Sequence, residues 1–376
     1  MSYRLEEHEG VADGIRRIVA EELDHAIAGL RTGADRDTAI HEARKSLKKA
    51  RSALRLARTG LEAPTRRTEN AAMRDASRRL SGARDAQVML DTLDGLTHAV
   101  PPPPADEVRA LQGELLARRA ELAAQLEGDT GLLEDVAGDL EAIRGRVGTW
   151  SLDDRTWGSV AEGAEIIHDG GRAAMKHALQ GESDEDWHEW RKRVKDLWYA
   201  GRIIEPISGP QITGFVAEAD ELSDVLGDHN DLAVLLDAAG DRPGLQRAIV
   251  ARRDALRRVA ATLGRRLYGE RPKAFASRLE SLLAAHEDSG AASARWLSPE
   301  AAQEAHALLA AKRSADPAGR RRIAAGLREL GLRTSDYESE VPRRAGGFAV
   351  EDLELLVARG IVRVGVPPDP ATLGGL

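Results

Sequence analysis

Two stretches of the chain carry the same pattern of basic residues, and this repetition restricts the fold more than any other feature. The first stretch, HEARKSLKKARSALR, begins at His41, and the second, HEWRKRVKDLWYAGR, begins at His188, 147 residues further on. Both place histidine at offset 0 and Lys or Arg at offsets 3, 4, 7 and 14, without a gap. An internal repeat of this kind indicates a duplicated structural unit.

A second matching segment follows each histidine, at nearly the same distance in both copies. LSGARDAQVMLDTL at 80–93 aligns with LGDHNDLAVLLDAA at 226–239, which places Asp85 opposite Asp231, 44 and 43 residues after the two histidines. Two matched features at near-constant spacing predict two copies of one helical unit.

Helical periodicity runs through about the first 290 residues, where apolar side chains recur at steps of three and four. The predicted helices cover about 10–31, 36–60, 66–81, 84–99, 105–126, 129–145, 157–180, 184–204, 211–227, 229–239, 243–268 and 271–286. The prolines at 101–104 predict a stiff connection between two of them. With 6 Trp, 4 Tyr and 3 Phe in 376 residues, a β-sandwich or barrel is disfavoured. The predicted fold class is all-α.

The repeated basic residues share one face of a helix. At 100° per residue, the five offsets fall within an arc of about 100° and form one cationic stripe in each copy. Apolar residues occupy the opposite face; they are Ala43, Leu47, Ala50, Leu54 and Ala57 in the first copy, and Trp190, Val194, Leu197 and Ile204 in the second. Each copy therefore predicts a helix that buries one side and presents cations on the other.

The first cationic stripe is crowded with charges of one sign. Between His41 and Arg58 there are seven Lys or Arg residues and one acid, Glu42. Like charges at i and i+4 destabilise a helix by a few tenths of a kcal/mol, and a ligand of opposite charge would relieve this. A charge run is more often a solvated face, and that interpretation stays open. The recurrence of the same residue types in both copies favours a ligand site.

These motifs, HEARKSLKKARSALR, HEWRKRVKDLW, GARDAQVML and LGDHNDLAVL, resemble the CHAD family, the conserved histidine α-helical domain. The resemblance covers about residues 8–288, with repeat one at about 8–150 and repeat two at about 151–288. It implies two four-helix bundles related by a pseudo-twofold axis, with basic helices facing a central channel. It also implies binding of inorganic polyphosphate, often at granules in bacteria, without catalysis by the domain. Some members carry a triphosphatase domain on the N-terminal side, and we expect none here.

The resemblance also assigns the binding residues. The polyphosphate-binding set is His41, Arg44, Lys45, Lys48, Lys49, Arg51, Arg55 and Arg84 in the first half, and His188, Arg191, Lys192, Lys195 and Arg202 in the second. Further channel cations on the preceding helices are Arg16, Arg17, Arg172 and Lys176. The second half departs from the pattern at Asn230, which stands where the first half has Arg84.

The chemistry of polyphosphate fits these residue types. Guanidinium groups form bidentate bonds to phosphate oxygens, while lysines act as adaptable point charges. An ordinary histidine titrates at about pH 6.5, so we expect affinity for polyphosphate to weaken as the pH rises from about 6 to 8.

Asp85 and Asp231 are interpreted as carboxylates that orient a side chain of the cationic stripe or cap a helix. Metal ligation by His and Asp is the alternative, but their spacing matches no strong metal signature. We expect no metal and no cofactor.

Two other functions stay open. Sequence-nonspecific nucleic-acid binding would use the same cations on a phosphate backbone, although Asn and Gln for reading bases are absent among them. A metal-dependent phosphohydrolase would use the His and Asp pairs, although no P-loop and no HExxH motif is present. The formal net charge of −8 does not exclude a polyanionic ligand, since the cations are sorted onto two helix faces.

The remaining residues, 292–376, lie outside the resemblance. Helices are predicted near 299–313 and 317–331, and FAVEDLELLVARGIVRV at 348–364 predicts a helix followed by a short strand. This segment is interpreted as a mostly helical appendage of unknown role, which is either winged-helix-like, packed onto the main domain, or a partner-docking module. The chain has no cysteine and no stretch that resembles a secretory signal or a membrane span. We therefore expect a cytoplasmic protein with no membrane partner, and the resemblance to the CHAD family implies association with polyphosphate granules.

Overall fold

The computed structural model describes residues 3–6, 9–33, 35–80, 84–99, 101–128, 131–152, 157–181, 183–293, 295–312, 314–330, 332, 337, 341 and 348–365. Within the helices and strands, side chains are described except at 84–86, 123, 125–128, 286–293, 295 and 317.

Helices dominate the described part of the chain, as the all-α prediction expects. They are α1 (Val11–Thr32), α2 (Arg36–Leu56), α3 (Ala63–Arg79), α4 (Arg84–Thr97), α5 (Ala105–Gly128), α6 (Leu132–Val147), α7 (Gly158–Gln180), α8 (Asp184–Ser208), α9 (Pro210–Ala238), α10 (Pro243–Leu267), α11 (Pro272–Ser293), α12 (Pro299–Ala311), α13 (Pro317–Glu329) and α14 (Val350–Ala358). Two short strands, β1 (Arg295–Leu297) and β2 (Val362–Val364), complete the elements. The all-α fold class is confirmed, while the division into two related four-helix bundles stays a prediction.

The chain divides into two compact units. The first comprises Met1–Leu5 with Ile15–Glu280, and the second comprises Glu6–Gly14 with Ser281–Leu376. No helix among the described residues is both long and apolar enough to cross a lipid bilayer.

One prediction of helix boundaries was wrong. Separate helices were expected at 211–227 and 229–239, but α9 continues through Gly227. Leu226, His229 and Leu232 are buried on either side of that glycine, so the buried face keeps its helical period. A glycine inside a helix costs about 0.5–1 kcal/mol relative to alanine, which the burial of such side chains offsets.

The core of the first unit depends on close helix approach. At Gly163 on α7, a Cβ atom would overlap the carbonyl oxygen of Leu56 at the end of α2. At Gly264 on α10, a Cβ atom would lie 2.5 Å from the ring of the fully buried Trp190 on α8. Glycine at these points lets α7 and α10 approach the helices that carry the repeated pattern.

The second unit has its own small core. Strands β1 and β2 pair in parallel, with Trp296 opposite Arg363. The buried residues of this core are Leu297, Ala305, Leu309, Ile323, Leu327, Leu332, Phe348, Leu353, Leu356 and Val362. The order of helix, helix, helix and strand agrees with the predicted order. Strand β1 was not predicted, because three residues are too few to show alternation.

Candidate functional site

The repeated basic patterns lie on α2 and α8, and both helices start at capped residues. The side chain of Asp35 accepts a hydrogen bond from the backbone N–H of Thr38 over 3.0 Å. The hydroxyl of Ser183 accepts one from the backbone N–H of Glu185 over 3.2 Å. Such caps satisfy orphan donors of the first turn and set the start of each helix.

The apolar faces of both helices are buried, as predicted. Each of the following is at most 5% exposed: Ala43, Leu47, Ala50, Leu54, Ala57, Trp190, Val194, Leu197 and Ile204. With these faces fixed against the protein, the rotation of each helix about its axis is set. The opposite side of each helix carries the basic pattern.

Helices α2 and α8 contact each other directly. The hydroxyl of Ser52 donates to the backbone carbonyl of Asp196 over 3.2 Å. The guanidinium of Arg55 donates to the carboxylate of the same aspartate over 2.6 Å. The last position of the first basic pattern therefore joins the two helices.

The N-terminal part of the α2 pattern forms what we call the first basic face, made of His41, Arg44, Lys45 and Lys48. Lys45 and Lys48 are exposed, and His41 and Arg44 are half-buried. Arg44 reaches the carbonyl of Leu80 only at 3.5 Å. Glu42 lies 3.3 Å from the Lys45 ammonium and 3.6 Å from the His41 ring. Glu42 therefore lies close to two of these four basic side chains, His41 and Lys45.

Two other cations assigned to this stripe have protein partners. The ammonium of Lys49 lies 2.8 Å from Glu22, whose side chain is 10% exposed, and 5.1 Å from the centre of the Tyr3 ring. Arg51 donates to the side-chain oxygen of Asn70 over 3.0 Å. Burial, together with the charge of Arg55, lowers the pKa of Arg51 to about 10. These contacts give Lys49 and Arg51 structural roles within the first unit.

The corresponding part of α8 forms the second basic face, made of His188, Arg191, Lys192 and Lys195. Among the described residues, the buried Nε of Arg191 has no hydrogen-bond partner. Burial and the neighbouring Arg191 charge lower the pKa of Lys195, while Asp224, Asp220 and Asp231 act in the opposite direction. An unsatisfied buried donor and a repelled ammonium, one helical turn apart, are both unfavourable. An anion placed between the two side chains would relieve the repulsion between their charges.

Lys192 is the more exposed member of this face. Its ammonium lies 2.6 Å from Glu189 and 3.7 Å from Glu185. Both pairs are solvent-accessible, with the Lys192 side chain 45% exposed. Exposed pairs of this kind contribute about 0–1 kcal/mol, so a polyanion can displace the carboxylates at little cost.

His188 is held by a residue that the sequence interpretation did not assign a role. Its Nδ1 lies 2.6 Å from Oδ1 of Asn230, and the amide of Asn230 donates to Asp231 over 3.3 Å. Asp231 therefore acts on the histidine through Asn230 rather than directly. The signal that could have found Asn230 is its place in the aligned motif, opposite Arg84. The side chains of Arg84 and Asp85 lie outside the described residues, so their assigned roles stay predictions.

Arg202, the last cation of the α8 pattern, is exposed and lies over the ring of Trp198, 5.4 Å from its centre. On α7, Lys176 is exposed. Arg172 lines a separate cavity of about 500 Å³ with Arg271 and Lys273. None of these contacts brings the three cations into the two basic faces.

The cations on α1 have backbone partners. Arg16 donates to the carbonyl of Trp150 from Nε over 3.1 Å and from a terminal nitrogen over 3.0 Å. Arg17 donates to the carbonyl of Arg4 over 2.8 Å and lies 3.4 Å from Glu21. Their place in a channel stays a prediction, and their observed contacts support the fold.

A larger cavity, of about 1190 Å³, lies between α4, the prolines at 101–104, α9 and α10. Asp91, Asp228 and Asp231 line it together with Arg247 and Arg252. The three carboxylates would repel a polyanion, so this cavity does not extend the basic faces. Across the described residues, no group of three or more His, Asp or Glu side chains is arranged to hold a metal ion.

Comparison with known proteins identifies the family of this chain. The chain matches the CHAD domain family model over residues 17–240. It is similar to PptA from Streptomyces chartreusis, with 15% identity, 69% of this chain and 97% of that chain covered, and a TM-score of 0.47. It is also similar to the CHAD domain from the plant Ricinus communis, with 18% identity, 73% and 93% coverage, and a TM-score of 0.46. No curated protein matches significantly. Since the family model spans more than half of the sequence, the protein belongs to the CHAD domain family.

Proposed function

We propose that this protein binds inorganic polyphosphate, without catalysis, through the first and second basic faces on α2 and α8. The CHAD family is known for polyphosphate binding. The observation that carries the proposal for this chain is the electrostatic stress at Arg191 and Lys195. The Arg191 guanidinium has a buried donor without a partner among the described residues, and burial together with the Arg191 charge lowers the pKa of Lys195.

Polyphosphate suits such a site because it carries negative charge on every unit and has no other recognition feature. Charge-assisted hydrogen bonds contribute about 1.5–3 kcal/mol each before the costs of association. Eight side chains make up the two faces, so several simultaneous contacts support micromolar or tighter affinity. In this proposal Arg44 and Arg191 grip phosphate oxygens, and the lysines neutralise charge along the chain.

The remaining assigned residues support the faces. Arg55 joins α2 to α8 through Asp196, and Lys49 fixes α2 to Glu22 on α1. Asn230, oriented by Asp231, keeps the His188 ring in one position. Because α2 and α8 are in contact, we propose that one polyphosphate chain meets both faces in a shared channel.

The test is a calorimetric titration with polyphosphate of defined length. The variants are Arg44→Ala/Lys48→Ala on the first face and Arg191→Ala/Lys195→Ala on the second. The matched control is Arg31→Ala/Arg144→Ala, which removes two cations that pair with Glu134, Glu141 and Asp24 elsewhere in the first unit. We expect each face variant to lose at least about tenfold in affinity and the control to lose little.

The pattern of losses distinguishes the possibilities. Similar losses from either face support one composite site. Loss from one face alone contradicts the shared channel, and losses no larger than the control's contradict binding at these faces.

Two further measurements address the other functions. If both face variants lose DNA or RNA binding, and long polyphosphate fails to displace the nucleic acid from the wild type at equal phosphate concentration, nucleic-acid binding at these faces replaces the proposal. Release of phosphate from polyphosphate after addition of Mg²⁺ or Mn²⁺ would instead support a phosphohydrolase.

A further inference from the structure

Charged residues in the second unit are sorted by helix. Helix α13 carries four arginines and one acid, Glu329. The four arginines are Arg320, Arg321, Arg322 and Arg328, and all are exposed. The helices before and after it in the chain carry acids, among them Glu300 and Glu304 on α12 and Glu351 and Glu354 on α14. Among α12, α13 and α14, Lys and Arg therefore occur only on α13.

The packing of α13 decides which side faces outward. Ile323 and Leu327 are 8% and 2% exposed and belong to the core of the second unit. At Gly326, an added Cβ atom would lie 3.0 Å from Leu308 of α12. These residues mark the side of the helix that packs against α12 and the core.

The opposite side combines arginines with small residues. At 100° per residue, Arg321 and Arg328 lie opposite Ile323, with the exposed Ala324 and Ala325 between them. Arg321 and Arg328 are seven residues apart, which is about 10.5 Å along the axis. Because alanine side chains are short, another molecule can approach the helix backbone closely in the space between Arg321 and Arg328. Arg320 and Arg322 flank this surface.

Two of the arginines also bond back to backbone carbonyls at or near the helix. Arg320 donates from Nε to the carbonyl of Ala315 over 3.2 Å, and Arg328 donates from Nε to the carbonyl of Ala324 over 3.1 Å. The start of α13 is capped by Asp316, which accepts from the backbone N–H of Gly319 over 2.6 Å. The surface therefore belongs to a helix of 13 residues with a side-chain cap at its start, about 20 Å long.

We propose that the outward side of α13 binds double-stranded nucleic acid without sequence preference. A single helix fits the major groove of B-DNA, which is about 12 Å wide. Arginines on both flanks of a small-residue surface meet the phosphates that border the groove, while the alanines permit the helix to enter it. The helix carries no Asn, Gln, Ser or Thr, and the proposal assigns its arginines to phosphates rather than to base edges. This function is independent of the polyphosphate proposal.

The experiment uses the full chain and a fluorescent duplex of random sequence, with binding followed by anisotropy at several salt concentrations. The test variant is Arg321→Ala/Arg328→Ala, and Arg321→Lys/Arg328→Lys keeps the charge. The matched control is Arg258→Ala/Arg265→Ala, which removes two exposed arginines with the same seven-residue spacing from α10. All substituted positions are exposed, and circular dichroism verifies that the helical content is retained.

Each phosphate contact contributes about 0.9 to the slope of log affinity against log salt. For the test variant, which removes two contacts, we expect a slope that is smaller by about 1.8. We also expect its affinity at 0.15 M salt to be about thirty-fold lower than that of the wild type. The lysine variant and the α10 control should bind nearly as the wild type does. Polyphosphate affinity should be unchanged in the α13 variant, and Arg44→Ala/Lys48→Ala should still bind the duplex.

Three results overturn the proposal. They are a wild type that does not bind the duplex, an α13 variant that binds it as well as the wild type, and an α13 variant that loses polyphosphate in place of the duplex. The last result would make α13 a second polyphosphate surface. Failure of the polyphosphate titration leaves the duplex measurement unaffected, so the two proposals fail separately.

Discussion

The guanidinium of Arg55 on α2 donates to the carboxylate of Asp196 on α8 over 2.6 Å, and this pair joins the two helices that carry the repeated pattern. Burial raises the pKa of Asp196, and the charges of Arg55 and Arg193 act against that rise. The carboxylate therefore depends on its cations to stay ionised in the folded protein. Arg55, at the last offset of the repeated pattern, therefore makes a structural contact, and its part in binding polyphosphate stays a prediction.

Removing Arg55 should destabilise the fold more than it weakens binding. We expect Arg55→Ala to lower the free energy of unfolding by about 3 kcal/mol, because it leaves a buried carboxylate short of its closest cation. Urea denaturation measures this change. The double variant Arg55→Ala/Asp196→Ala should recover part of the loss. A polyphosphate affinity reduced as much as in Arg44→Ala/Lys48→Ala would contradict the structural role.

Lys195 should show the opposite behaviour, with binding lost and stability kept. Lys195→Met removes an ammonium that is desolvated and repelled by Arg191, so we expect unfolding free energy to be unchanged or to rise by up to about 1 kcal/mol. Polyphosphate affinity should fall about tenfold. Lys192→Met, at an exposed position, serves as the comparison for stability. A large loss of stability in Lys195→Met would show that the residue is structural.

The same lysine predicts a pH effect of known sign. Its pKa is lowered from 10.5 in the folded protein, so the unfolded chain binds the proton more tightly. The protonated Lys195 side chain therefore destabilises the folded protein fully below the lowered pKa, and this destabilisation disappears as the pH rises toward 10.5. Wild-type stability should therefore gain in the alkaline range relative to Lys195→Met, as measured by urea denaturation at several pH values.

Two buried histidines should make the protein sensitive to mild acid. Burial lowers the pKa of His168 and of His229 from 6.5 to about 4. His168 stacks on Phe275 with ring centres 4.8 Å apart, and His229 accepts a hydrogen bond from Arg257 over 3.1 Å. Because both pKa values are lowered, the stability that the two neutral histidines contribute is present in full above pH 6.5 and is lost as the pH falls toward 4. The loss is about 3 kcal/mol for each histidine.

Urea denaturation between pH 7.5 and 5 separates this effect from the titration of most carboxylates. His168→Phe keeps an aromatic ring in the same cluster and should show a shallower fall in stability than the wild type. Identical pH profiles for the two proteins would remove His168 from the acid response.

The close approach of α7 to α2 predicts a steric effect at one glycine. In Gly163→Ala the new Cβ would overlap the Leu56 carbonyl and lie 2.8 Å from its carbon, so α7 and α2 must separate. We expect a loss of at least about 2 kcal/mol in unfolding free energy. Gly138→Ala on α6, where nothing lies within 4 Å of the added atom, should instead stabilise the protein by about 0.5–1 kcal/mol. Equal effects at the two positions would contradict the close approach.

The basic faces could be predicted in part because a helix has a fixed period. Once α2 and α8 are helical, Lys45 and Lys48 must lie opposite Leu47 and Leu54, and the burial of those leucines confirms it. The helical period does not show which side chain of another helix contacts each cation. Lys49 and Arg51 belong to the same charge run, but Glu22 and Asn70 turn them to structural contacts.

The amino-acid sequence alone predicts a helical chain, two copies of a basic pattern and the apolar sides of α2 and α8. These properties depend on periods and spacings within single helices, which are local. The tertiary structure decided that Arg55 pairs with Asp196, that Asn230 rather than Asp231 contacts His188, and that Arg191 keeps an unsatisfied donor beside Lys195. Those relations depend on how separate helices cross, because burial and charge neighbours arise only when distant segments pack together.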